Sequence, residues 1–255
     1  MRMILSISFI FGLGLTRVEA FGCPAMQFST ASQILENKKT LVLVTHPSSE
    51  FDASKAAKSG IDKLVAFAKG QSFTTIYLQN NSFSETYPDD CRPNHWVYSA
   101  AGESNFQVKA TEVYFVGGFW ELCQDSTLSD VLRSWADFEP PTIRIIQVMD
   151  AIYVSGNEVY PWDEFYSRYK SLLDTKPKPK LPDLPTANLS ELLGIMKNEA
   201  QQIDFLLRRL PNFGYLPDDY SIELYFKNRF VRTLRNSKNS LSQKRLEIRF
   251  VDTAN

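Results

Sequence analysis

Apolar and polar residues along this chain follow two periods, and the change from one to the other marks its elements. Leu41-Val42-Leu43-Val44, Val113-Tyr114-Phe115-Val116 and the stretch Thr142 to Val148 are short, nearly unbroken apolar runs. Runs of this length bounded by turn residues predict strands buried on both faces, as in parallel sheets. Phe73 to Leu78, rich in β-branched and aromatic residues, predicts another strand. Between the first two strands Ala57, Ile61, Leu64, Val65 and Ala68 recur at helical spacing, predicting an amphipathic helix from Ala53 to Lys69 that Gly70 terminates. Leu128, Val131, Leu132 and Trp135 form a second apolar stripe after the break at Gly117-Gly118, with Cys123 in the turn or first helical turn. Strand–helix–strand order implies right-handed crossovers and parallel pairing, so the fold class is α/β.

The weaker segments fill in around this core. A short helix is expected within Cys23 to Lys39, and another from Asp163 to Leu173. Asn80 to Asn94 reads as a long polar loop leaving the carboxyl end of the second strand, where open α/β sheets bind ligands. Trp96–Ala100 and Phe106–Lys109 read as a hairpin around the turn 101–104. The prolines of Lys176 to Pro185 impose an extended linker. Beyond it a single helix is expected over 188–210, capped by Asn188 with Glu191. Strict alternation then predicts two strands, Ile222-Leu224-Phe226 and Leu246-Ile248-Phe250, joined through a turn near 236–240; Arg229 to Arg235 fits a strand or a helical turn. The expected organisation is a signal segment over 1–20, a core over 21–175, a linker over 176–187 and a helix-plus-hairpin extension over 188–255.

Composition changes this picture little. A hydrophobic share of 44%, a charged share of 22% and a net charge of −1 describe an ordinary globular chain with no general affinity for nucleic acid or anionic membrane. The start changes it more. Arg2, the apolar run Met3 to Leu15 and the small residues ending at Ala20 have the pattern of a secretory signal, too short for a membrane span. Export to a periplasmic or extracellular compartment is therefore expected, with a lipid anchor on Cys23 as the lesser alternative. In such a compartment the three cysteines, Cys23, Cys91 and Cys123, permit one disulfide. Cys91 and Cys123 are a candidate pair. The tail from Lys227 to Arg249 holds eight basic residues against one acid, Glu247, which makes an anionic partner conceivable. Its alternative reading is a solvated edge whose charges block aggregation.

Candidate chemistry centres on Cys123. A cysteine between a buried strand and a helix N-terminus is placed where the helix dipole and unpaired N–H groups favour a thiolate or an oxyanion. The competing reading is a small buried residue or half of a disulfide. His46 and His95 are the only histidines, and no C-x2-C or H-x3-H spacing accompanies them, so no metal is expected. Neither G-x-G-x-x-G nor G-K-[ST] occurs, and no cofactor is expected.

Gly117, Cys123, Thr127 and Asp130, spaced G-x5-C-x3-T-x2-D, resemble the nucleophile segment of the isochorismatase-like cysteine hydrolases. Met149-Asp150-Ala151 is similar to the Asp-Ala that closes the next strand in that family, and the resemblance spans roughly 41–160. It implies a three-layer α/β/α core with a mostly parallel sheet and a site at the sheet's carboxyl edge. Two members of the family's usual triad have no counterpart here. The position of its Asp falls on Thr45 or His46, and Lys109 is not placed to stand for its Lys. His46 is then the available base for Cys123.

On these grounds the sequence favours an exported, non-catalytic envelope protein that binds a small molecule or an envelope component with the inherited cleft or the C-terminal extension. One alternative is a cysteine hydrolase of small amides or esters using Cys123 and His46. The other is a small-molecule sensor whose pocket draws on Thr45, Trp96, Phe119 and Trp120.

Overall fold

The computed structural model describes residues 27–47, 52–79, 94–99, 102, 104, 107–120, 122–137, 140–154, 187–208, 216–235 and 244–254. The signal segment, Cys23, the loop holding Cys91, the expected helix 163–173 and the proline-rich linker lie outside the described residues. So does the Cys91 side of the expected disulfide.

Eight strands form one sheet in the order β3-β2-β1-β4-β5-β8-β6-β7. They are β1 (Thr40–Thr45), β2 (Thr74–Gln79), β3 (Asn94–Tyr98), β4 (Glu112–Gly117), β5 (Thr142–Val148), β6 (Ser221–Phe226), β7 (Arg229–Arg235) and β8 (Arg245–Val251). Every pairing is parallel except β6 with β7. The helices are α1 (Phe28–Leu35), α2 (Asp52–Gly70), α3 (Cys123–Ala136), α4 (Leu189–Gly194) and α5 (Glu199–Arg208).

The apolar runs do what two-sided burial requires. Leu41, Leu43, Val113, Phe115, Ile143 and Ile145 pack into one layer with α1 and the Leu128–Trp135 stripe of α3. Their alternates Val42, Val44, Val116, Ile146 and Val148 pack into the other with Ala57, Ile61, Leu64 and Ala68 of α2. Each such side chain contributes roughly 1.5–3 kcal/mol on leaving water, which is why both faces of these strands must be covered. The α/β class and the largely parallel sheet expected from the sequence are observed.

The C-terminal third extends this sheet instead of standing beside it. β8 pairs with β5 from Thr142↔Arg245 to Val148↔Val251, and β6 then pairs with β8. The alternation expected of β6 and β8 is observed, but the two strands run parallel and do not form a hairpin with each other. The hairpin joins β6 to β7, because Lys227 and Asn228 both take left-handed backbone (φ 48° and 62°) and reverse the chain in two residues. Leu189, Leu192, Leu193, Phe205 and Leu206 cover β6 and β8 from the α3 side. The expected single helix is broken into α4 and α5, since Asn198 accepts from the Gln201 N–H (3.0 Å) and starts a new helix.

The expected hairpin of Trp96–Ala100 with Phe106–Lys109 is also replaced. β3 pairs in parallel with β2, and 107–110 is irregular. Its backbone is satisfied by α3 side chains: Ser134 accepts from the Val108 N–H (3.2 Å), and the Trp135 indole donates to the Ala110 carbonyl (2.9 Å).

Most of the tail's basic residues are paired within the fold. Arg229 meets Glu199, Arg232 meets Asp204, Arg235 meets Asp218 and Lys244 meets Asp219. Arg245 and Arg249 both contact Glu247. The free edge strand β7 thus carries arginines tied to nearby carboxylates, an arrangement that discourages strand addition.

Candidate active site

The winding of the sheet reverses between β1 and β4: β2 and β3 lie to one side, β5 to the other. Loops leaving two adjacent strands diverge at such a point and open a crevice at the carboxyl edge. His46 follows β1 there, and Cys123 opens α3 shortly after β4.

The turn after β4 is held by glycine. Gly117 has φ +69°, and a Cβ on it would lie 2.2 Å from the Thr45 carbonyl oxygen. No other residue allows β1 and β4 to approach this closely at their ends. Gln124 then folds its amide back to donate to the Val116 carbonyl (3.0 Å) and to that of Gly117, closing the turn. The result places the Cys123 sulfur 3.3 Å from His46 Nδ1.

His46 is held on several sides. Its backbone is left-handed (φ 41°), a costly state for a residue with a side chain, sustained only by surrounding bonds. Its N–H donates to the Leu78 carbonyl (2.9 Å), and its own carbonyl accepts from the Tyr153 hydroxyl. On the ring, Nε2 lies 2.8 Å from the Ser99 carbonyl oxygen. A carbonyl can only accept, so Nε2 carries the hydrogen. In the neutral ring Nδ1 then presents its lone pair to the Cys123 thiol, and one proton is shared between sulfur and nitrogen.

Beside the pair, α3 is bonded to the neighbouring turns. The Thr127 hydroxyl, with one proton to give, lies 2.6 Å from the Gly102 carbonyl oxygen and 2.8 Å from that of Cys123, and Thr45 Oγ1 lies 3.4 Å from Thr127 Oγ1. Asp130 accepts from the Ser104 N–H (2.8 Å) and pairs with Arg133. Two motif positions that the sequence singled out, Thr127 and Asp130, therefore tie Gly102 and Ser104 to α3. Both residues of the pair are buried, Cys123 at 9% exposure and His46 at 3%.

The remaining predicted residues divide. Phe119 shares the core layer of Cys123, Trp96 packs against that layer, and Thr45 is buried at the end of β1. Trp120 points to the opposite layer, where its ring meets Phe250 edge-on at 5.9 Å. The first-turn N–H groups expected to hold an oxyanion are partly spoken for: those of Leu122 and Gln124 donate to the Phe119 carbonyl (3.1 and 3.2 Å). Ser99 and Tyr153 were missed from the sequence. A backbone carbonyl leaves no mark on residue type, and Tyr153 reads as an ordinary buried aromatic. Among the described residues no three His, Cys, Asp or Glu side chains gather closely enough for a metal, and no helix is long and apolar enough to cross a membrane.

Several solved structures are similar to this chain. N-carbamoylsarcosine amidase from Thermoplasma acidophilum matches at 15% identity over 51% of this chain and 91% of its own, with a TM-score of 0.37. The nicotinamidase of Staphylococcus aureus matches at 12% over 51% and 95%, TM-score 0.38. An isochorismatase-like hydrolase from Alkaliphilus metalliredigens matches at 13% over 53% and 82%, TM-score 0.38. The last carries the name of the family that the Gly117–Asp130 motif resembles. No protein-family model and no curated protein matches the sequence. At these identities no activity is carried over, and the functional reading rests on the geometry of Cys123 and His46.

Proposed function

We propose that this protein is a cysteine hydrolase of small amides or esters, with Cys123 as nucleophile and His46 as its base. The observation that supports this reading is the 3.3 Å contact between His46 Nδ1 and Cys123 Sγ, combined with the Nε2–H donation to Ser99 that aims the lone pair at sulfur. The non-catalytic reading favoured from the sequence rested on the missing Asp and Lys and on a second cysteine, Cys91, in an oxidising compartment. A base that reaches the thiol by another route answers the first of these grounds. The small-molecule sensor has no specific observation in its favour. Export and envelope location remain separate proposals carried by residues 1–20.

The chemistry balances on these residues. The Cys123 proton passes to His46 Nδ1, and the imidazolium is stabilised by the Ser99 carbonyl dipole. The thiolate, at the positive end of the α3 dipole, adds to the substrate carbonyl carbon. His46 Nδ1 returns its proton to the departing amine or alcohol as the carbon–heteroatom bond breaks, leaving a thioester on Cys123. Water attacks that thioester while Nδ1 takes its proton; the acid leaves and the thiol is restored.

The test is acylation by p-nitrophenyl acetate in protein purified without reductant. A burst of p-nitrophenol with acetylation mapped to Cys123, slowed about tenfold or more by His46→Ala, is expected. Acetylation at the rate of a model thiol, unchanged by His46→Ala, would remove the hydrolase reading.

A further inference from the structure

We infer that Tyr153 is a positioning residue for the Cys123–His46 pair, holding His46 in its left-handed backbone through the hydroxyl that donates to the His46 carbonyl. This rests on the hydrolase reading of the same site. Tyr153 is fully buried, and its hydroxyl crosses from the segment after β5 to the end of β1. Its ring stands edge-on to Phe119 at 4.7 Å. Its backbone continues the register of the turn that carries Cys123: the Tyr153 N–H donates to the Gly118 carbonyl (3.3 Å), and the Trp120 N–H donates to the Tyr153 carbonyl (2.9 Å). One residue is thus bonded to both turns whose spacing sets the sulfur–nitrogen distance.

The energetics favour an active role for this contact. A histidine at φ 41° relaxes toward the extended region unless its backbone groups are tied. Of those groups the N–H belongs to the sheet through Leu78, so it fixes where His46 starts but not how the peptide after it turns. The carbonyl sets that turn, and Tyr153 holds it. Relaxation of φ at His46 turns the ring and the carbonyl together about the N–Cα bond, so it would break the Tyr153 bond, swing Nδ1 off the sulfur and pull Nε2 from Ser99. Tyr153 also bridges to Asn188, whose amide donates to the Ala56 carbonyl (3.1 Å) at α2. The C-terminal extension therefore braces the residue that braces His46.

The experiment is a double-mutant cycle on the rate at which iodoacetamide labels Cys123, followed by peptide mass mapping from pH 5 to 9. Tyr153→Phe keeps the ring and its contact with Phe119. It is expected to slow labelling at pH 7 by about fivefold to tenfold and to shift the profile toward that of a free thiol, near pH 8.5. In a His46→Ala background it is expected to change nothing further, because its effect passes through His46. Phe119→Leu, which loosens the ring and keeps the hydroxyl, should give a smaller slowing that also vanishes without His46. Equal slowing in both backgrounds, or a lower melting temperature with an unchanged profile, overturns the inference and leaves the hydrolase reading standing. Wild-type labelling that ignores His46→Ala overturns both.

Discussion

Gly117 and Thr45 stand so close that a Cβ on the glycine would be 2.2 Å from the Thr45 carbonyl oxygen. The two residues are register partners at the ends of β4 and β1, and the turns bearing Cys123 and His46 begin immediately beyond them. Gly117→Ala must move one strand end and adopt a left-handed φ of +69°. The expected loss is at least about 2–3 kcal/mol, seen as a lower denaturant midpoint at unchanged slope. Cys123 labelling should fall as well. A stability within about 0.5 kcal/mol of wild type would show that the approach is not rigid.

Glu247 governs a different property, the acid limit of the fold. It is almost fully buried on β8, with Arg144 at 2.9 Å, Arg249 at 2.7 Å and Arg245 at 3.1 Å. Burial alone would push its carboxyl up, but hydrogen bonds from Arg144 and Arg249, with their charges, outweigh this and hold it below the ordinary 4.5. A carboxyl depressed by folding stabilises the native state above its unfolded value. That stabilisation is lost as pH falls from about 4.5 through the lower, folded value. Glu247→Gln should cost about 2–3 kcal/mol at pH 7 and flatten the decline below pH 4.5, measured by urea unfolding at several pH values. A parallel decline in wild type and variant would assign the acid limit to other carboxylates.

The β6–β7 turn offers a change in the opposite direction. Asn228 holds φ 62°, which glycine adopts without strain. Asn228→Gly should raise stability by about 0.5 kcal/mol and the melting temperature by about 1–2 °C. A decrease would mean that the Asn228 side chain makes a contribution beyond the turn.

The sequence by itself determined the strands and helices of the core, because burial on two faces or one writes its own period into residue order. Leu41–Val44, Val113–Val116 and the α2 and α3 stripes needed no partner to be recognised. It also placed Cys123 and His46 as candidates, since both follow strands at the edge where ligands bind. Tertiary structure alone decided which neighbours each strand took. Alternation in β6 and β8 reports that one face is buried, and it is the same whether the pairing is parallel or antiparallel. The place of β8 between β5 and β6 is set by its parallel pairings with both strands, whose apolar face is buried in one layer with α4 and α5. His46 is named from the sequence as the base available to Cys123, 77 positions away, but the geometry that joins them is not legible along the chain. It depends on a Ser99 carbonyl, a Tyr153 hydroxyl and a glycine contact, and hydrogen bonds from backbone atoms carry no residue code.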